Sequence, residues 1–258
     1  MNTLELSLPG DGTAVVRLNR PEKRNALSPQ MLRELQYTFE QLAADERVQV
    51  IIVEGAGTAF SAGADLEYLQ EISANSTLEN MEDSLLLERT FYTIYTTPKA
   101  TIAKVHGPAL AGGCGLATLC DFVVASKERA IFGYTEVRIG FIPAVVGVYL
   151  LRKVGDAVAR RLLLSGERIS AEEAYRVGLV SHLADHEKLN ETVHQLVAML
   201  RANSASSIAL TKRMLAAAHG MSLDSALQYA AALNVIARGT PDCRERVAEF
   251  LHKSKGSA

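Results

Sequence analysis

The chain has 258 residues, 48% of them hydrophobic and 22% charged, with 27 basic against 29 acidic side chains. That length buries a core of one domain and leaves room for an appended segment. The net charge of -2 speaks against a nucleic-acid binder, which carries a basic surplus, and no single-sign run marks a polybasic membrane patch or an acidic tail.

In chain order, residues 4–8 alternate with period two and predict a half-buried strand, and residues 14–18 (AVVRL) predict another. The first twelve residues hold an early Glu and neither a basic nor an apolar leader region, so no secretory signal is expected. Residues 29–44 place Met31, Leu32, Leu35, Phe39 and Leu42 at helical spacing, with Ser28 as N-cap and Pro29 in the first turn. Residues 48–53 (VQVIIV), 100–105 and 122–125 read as near-continuous apolar strands, suited to a parallel sheet covered on both faces. Strands separated by helices imply right-handed crossovers. The polar segment 73–80 (SANSTLEN) predicts a mobile loop or a helix start. The uncharged stretch 105–120 holds several Gly and a Pro and is too short to span a bilayer. Its cysteines, Cys114 and Cys120, are expected to pack as small hydrophobes. An odd total of three cysteines suits a reducing, cytoplasmic compartment better than a disulfide framework. After a last strand at 180–183 the pattern is helical: residues 188–201, 206–219, 223–237 and 242–251, with Pro241 opening the last. The expected division is an α/β unit over 1–184 and a helical region over 185–258.

Several familiar sites fail on their own residues. Gly55 to Phe60 (GAGTAF) follows a strand, but Phe60 stands where a dinucleotide fingerprint needs its third glycine. No phosphate-binding P-loop and no Gly-x-Ser-x-Gly elbow occur. His182 and His186 have a metal-compatible spacing, but no carboxylate or cysteine completes a set, and no metal is expected.

Two glycine-rich turns carry more information. Phe60-Ser61-Ala62-Gly63-Ala64-Asp65-Leu66 and His106-Gly107-Pro108-Ala109-Leu110-Ala111-Gly112-Gly113-Cys114-Gly115-Leu116 each follow a strand and lead into an apolar helix. Tight strand-to-helix packing explains such residues without any ligand. Alternatively, free amides at a helix start point outward with the positive end of the dipole behind them, and two facing each other form an oxyanion hole.

FSAGADL, HGPALAGGCGLATLCDFVVAS and FGYTEVRIGFIPAVVG, with RLNRPEKRNALS before them and AEFLHKSKG at the end, resemble the signature blocks of the crotonase (enoyl-CoA hydratase/isomerase) superfamily. The resemblance covers essentially the whole chain. It implies a crotonase-like spiral of ββα units followed by a helical trimerisation region, in a homotrimer or a dimer of trimers. It implies an acyl-CoA thioester substrate, with no cofactor beyond the coenzyme A that the substrate carries. The positions matching the family's oxyanion amides are Ala64 and Gly112. Lys23, Arg24, Ala26 and Leu27, together with Ala62, Gly63, Asp65, Leu66, Gly113 and Gly115, match the stretches that line the CoA and substrate site. Two fixed N–H donors stabilise an enolate more than the ground-state carbonyl, and losing one costs roughly 3 kcal/mol of barrier.

The match departs from the family at one place. Typical hydratases carry two glutamates; this chain keeps the one at Glu136 and has Gly115 at the other. Three readings follow from the resemblance. Glu136 acts alone on water in a hydratase of short or branched 2-enoyl-CoA; Gly115-Leu116, TEVRIG and Pro143-Ala144 resemble methylglutaconyl-CoA hydratases. Or Glu136 serves a Δ3-Δ2 enoyl-CoA isomerase, whose 1,3-proton shift needs one base. Or a second acid, Glu67 or Glu88, enters from elsewhere. A catalytically degenerate CoA-thioester or RNA binding protein is the reading from a different class. Acyl selectivity is expected to depend on Leu85, Leu86, Phe91, Phe141 and Val145. Gly115→Glu is expected to raise hydration if the helix start tolerates the side chain.

Overall fold

The computed structural model describes residues 2–63, 65–72 and 74–255. Its main sheet has six strands in the order β1 (Leu4–Ser7), β2 (Thr13–Leu18), β3 (Val50–Gly55), β4 (Ala100–Val105), β6 (Phe122–Ser126) and β9 (His182–Ala184). Only the β1–β2 pair is antiparallel; every later neighbour is parallel. The apolar runs explain this arrangement: Val50, Ile51, Ile52 and Val53 are all buried, which requires cover on both faces.

One face is covered by α1 (Pro29–Ala44), α3 (Thr77–Thr96) and α4 (Gly112–Leu119), which pack with Val16, Leu18, Ile51, Val53 and Ala103. In α1 the Ser28 hydroxyl accepts from the Met31 amide, Pro29 sits in the first turn, and Met31, Leu35 and Phe39 are fully buried. Removing a buried ring such as Phe39 costs about 3–5 kcal/mol. The opposite face is covered by α7 (Leu189–Arg201), whose Leu189, Val193, Leu196 and Val197 meet Val50, Ile52, Ile102 and Val124. The first helix of the expected C-terminal region therefore shares a core with the sheet.

A second, three-stranded sheet joins β5 (Ala109–Leu110), β7 (Ile131–Gly133) and β8 (Arg168–Ser170), and Ser61 bridges to Ala109. A short α2 (Leu66–Ile72) follows the first glycine-rich turn. The segment 74–80 resolves into a helix start: Ser76 and Glu79 form a reciprocal capping box on α3, while Ser73 lies outside the described residues. Two helices had no counterpart in the pattern reading. They are α5 (Ala144–Ser165), interrupted at Gly155 (φ 76°, ψ 172°), and α6 (Ala171–Arg176). Only glycine holds the Gly155 conformation without strain, and the break blurs the helical period. After β9 the chain is helical, with α8 (Ala205–Ala218), α9 (Leu223–Gly239) and α10 (Pro241–Lys255). His182 begins β9 and His186 opens a 3₁₀ turn, so they share no helix face. Among the described residues no helix is long and apolar enough to cross a membrane.

Candidate active site

The first glycine-rich turn is zipped to the segment before α1. The Ala62 amide donates to Arg24 O (2.9 Å), the Leu27 amide to Gly63 O (2.6 Å) and the Asp65 amide to Leu27 O (3.3 Å). Residues Arg24 and Asn25 adopt left-handed φ values of 50° and 55°, which turn the chain sharply enough to make this pairing. Asn25 is buried and fully used: Nδ2 donates to Ala56 O and Ala59 O, and Oδ1 accepts from the Arg20 amide. Ser61 Oγ donates to Asn25 O (2.8 Å) and accepts from the Gly63 amide (3.3 Å). The Arg20 guanidinium then clamps both sides, donating to Ala26 O (2.9 Å) and to Asp65 Oδ2 (2.7 Å).

The second turn lies directly against the first. Leu110 N donates to Ser61 O (2.9 Å). Gly63 has φ 92°, and a Cβ there would stand 2.7 Å from Leu110 O, 2.8 Å from Ala111 Cβ and 3.3 Å from the Gly112 nitrogen. Gly113 likewise backs onto Ser61. Ala111 is held at φ 46°, ψ -127°, a sparsely populated conformation. Its amide donates to Gly133 O (2.7 Å), and Gly112 opens α4 with no side-chain cap. An uncapped first-turn amide is an anion-seeking donor. At the far end of α4, Lys153 Nζ donates to Thr118 O (3.1 Å) and Cys120 O (2.7 Å), satisfying the last carbonyls.

Glu136 reaches the same place from β7. Gly133 is held at the start of α4, and the Tyr134 hydroxyl, fully buried, bonds Thr118 Oγ1 on α4 (2.5 Å). Two residues later Glu136 opens a 3₁₀ turn closed by Gly140. Its Oε2 is shielded from solvent and has no hydrogen-bond partner among the described residues. Burial raises the carboxyl's pKa above its ordinary value of 4.5. The Cys114 thiol and the Tyr134 hydroxyl lie close enough to feel its charge. Burial pushes the thiol up to about 12 and the phenol well above its ordinary value, so both stay neutral. A desolvated carboxyl with one oxygen unpartnered among the described residues, near a helix start without a side-chain cap, is suited to moving a proton next to a developing oxyanion.

The expected site residues thus converge around two turns. Gly63, Asp65 and Gly112 meet there with Ala62, Leu27, Ala26 and Gly113. Lys23 ends a 3₁₀ turn and is half-buried, and Arg24 is exposed beside it. Ala64 lies outside the described residues, and Leu66 is described only as the start of α2. Gly115 faces Val146 and Phe91: a Cβ there would stand 2.2 Å from Val146 Cγ1 and 3.2 Å from Phe91 Cε2. A glutamate at 115 therefore requires Val146 to shift, so this packing opposes the tolerance on which the expected gain from Gly115→Glu depends. Glu88 is exposed on α3 and acts on Tyr149, and the Glu67 side chain lies outside the described residues. Arg20, Ser61 and Val146 were not singled out in the sequence. An Asn in a turn-prone RNALS stretch is a weak local signal for the buried Asn25 hub; nothing local marks Val146.

A family model described as enoyl-CoA hydratase/isomerase matches residues 10–257. A Thermus thermophilus protein carrying the provisional name enoyl-CoA hydratase is 45% identical over 240 residues, 93% of this chain and 94% of that one. The crotonyl-CoA hydratase of Syntrophomonas wolfei is 35% identical over 95% of this chain and 93% of its own. The 2,3-dehydroadipyl-CoA hydratase of Escherichia coli is 34% identical over 93% and 92%. Among solved structures, an enoyl-CoA hydratase of Mycobacterium smegmatis superposes with a TM-score of 0.90 at 31% identity, covering 97% of this chain and 96% of its own.

Proposed function

Because the chain belongs to the enoyl-CoA hydratase/isomerase family and is an enzyme of the hydratase type, we propose that it hydrates a short 2-enoyl-CoA thioester and catalyses the reverse dehydration. The observation that carries this reading is the Oε2 of Glu136, buried and without a hydrogen-bond partner among the described residues, whose carboxyl is near enough for its charge to act on Cys114 in the first turn of α4. The Gly112 amide, with that of Ala64 by family resemblance, donates to the thioester oxygen. Glu136 in its carboxylate form takes a proton from water as the oxygen adds to C3. Negative charge passes through C2 to the thioester oxygen, where the amides hold it as an enolate. The same carboxyl returns the proton to C2. Lys23, Arg24, Ala26 and Leu27 run along the CoA portion with Ala62, Gly63, Asp65 and Leu66. The TEVRIG and Pro143-Ala144 blocks extend the proposal to branched acyl groups of the methylglutaconyl type. The working form is a homotrimer or a dimer of trimers, supported by the apolar side chains that α9 and α10 expose.

A second reading is supported by the apolar filling beside Gly115. A dry wall there favours a Δ3-Δ2 isomerase, since water diverts the dienolate. Crotonyl-CoA and a 3-enoyl-CoA of equal length separate the two. Loss of the conjugated-enone absorbance with 3-hydroxyacyl product is the expected result. Conversion of the 3-enoyl to the 2-enoyl thioester, with no hydroxyacyl product from either, would replace hydration by isomerisation. No turnover of either would leave a thioester binder.

A further inference from the structure

We infer that Val146 is the residue that sets how far an acyl group can extend past C4 in this site. The inference rests on the acyl-CoA reading above and specifies the acyl group it takes. Gly112 and Gly115 lie three residues apart on α4, hence on one face of the helix and about 4.5 Å apart along its axis. With the thioester oxygen at the Gly112 amide and the acyl chain laid along α4, Gly115 stands level with C3 and C4.

In the direction a side chain on Gly115 would take there is no free space. Val146 is buried, and its Cγ1 stands 2.2 Å from the place where a Cβ on Gly115 would be. Phe91, fully buried on α3, lies 3.2 Å from the same spot. Val146 therefore presses directly on the α4 backbone and uses the absence of a side chain at Gly115. It is fixed in turn by α5, whose neighbouring segment carries Glu136, and the Phe141 amide donates to Glu136 O (3.1 Å). A stiff β-branched side chain wedged between two helices cannot swing aside for a longer chain.

The consequence is a preference for short acyl groups over long ones, held by one side chain. One methylene of fit or misfit in an apolar pocket is worth about 10- to 200-fold in discrimination. The test uses inert saturated thioesters, butyryl-CoA and octanoyl-CoA, with binding measured by titration calorimetry on the whole enzyme. The ratio of octanoyl to butyryl affinity should rise at least threefold in Val146→Ala and fall at least threefold in Val146→Leu. A folded, correctly assembled Val146→Ala enzyme whose ratio moves less than threefold overturns the inference. If Val146→Ala does not assemble, Val146→Leu decides alone by the same threshold. Because the thioesters do not react, the answer is independent of the chemistry. An enzyme that fails to hydrate crotonyl-CoA but shifts its ratio refutes the hydratase reading and keeps Val146. One that hydrates crotonyl-CoA with an unmoved ratio does the reverse.

Discussion

At Glu136 the folded chain holds a carboxyl whose loss of hydration outweighs the one hydrogen bond it takes from its own backbone amide, with Oε2 lacking a partner among the described residues. Glu136→Gln keeps the shape and removes the proton transfer, so kcat should fall about 10²- to 10⁴-fold with thioester affinity nearly unchanged. Near-normal turnover would take Glu136 out of the reaction. The same group has a stability signature. Its folded pKa is raised above the ordinary 4.5, so folding favours the protonated form. The native state is therefore at its best below that value and loses stability as pH rises through the folded pKa. Glu136→Gln escapes that loss: its Tm should match the parent near pH ~4 and exceed it near pH ~8. The acid limb of the activity profile should lie above the ordinary carboxylate range. Gly115→Glu, in contrast, should lose assembly or melt early, because its Cβ alone meets Val146 Cγ1 at 2.2 Å. Restored folding with faster crotonyl-CoA hydration in that variant would show that the α4–α5 contact yields easily.

Among the elements, the two glycine-rich turns work as one unit because each is the other's packing surface. Gly63→Ala would add a Cβ at φ 92°, 2.7 Å from Leu110 O. The expected outcome is a loss of about 1–3 kcal/mol of stability from strain at that position. Activity should fall more than the stability change explains, since the turns must separate; an equally active, equally stable variant contradicts the coupling. The Arg20–Asp65 pair is the tie across the first turn, with both side chains mostly shielded (18% and 9% exposed). Asp65→Asn strands the guanidinium's charge, and breaking a buried pair costs about 3–5 kcal/mol. Solvent at Arg20 trims that figure. The measurement is a denaturant midpoint alongside kcat, with the Glu79–Ser76 capping box on α3 as the contrast. Ser76→Ala should cost about 1 kcal/mol and leave kcat unchanged.

On the scale of the whole molecule, the C-terminal helices leave apolar surface open. Leu223 (74% exposed), Val235 (68%) and Phe250 (72%) project from α9 and α10, and α8 buries no side chain fully. Apolar surface of this extent on helices marks an association face. Val235→Asp should dissociate the assembly in sedimentation analysis and lower Tm with it, whereas a wild-type chain that sediments as a monomer would remove the proposed trimer. The helices themselves are held to one another by polar ties: Asp242 Oδ2 accepts from Ser204 Oγ, and Arg246 donates to Ala202 O (2.7 Å).

Local pattern alone determined much of this protein. Ser28-Pro29 with its apolar period places α1, the apolar runs place β3, β4 and β6, and the two glycine-rich turns with FGYTE mark where the chemistry gathers. These are legible because capping, periodicity and backbone freedom act over a few residues. The position of Glu136 was legible only through the resemblance, since one carboxylate among many carries no local mark. Tertiary structure decided the rest. The Arg20–Asp65 clamp spans 45 residues of sequence, so no window along the chain could show it. α5 escaped because Gly155 breaks its period in mid-helix. That Gly115 is glycine can be read directly. Why nothing larger fits there depends on Val146, 31 positions away on another helix, and steric exclusion between packed helices is written in no local pattern.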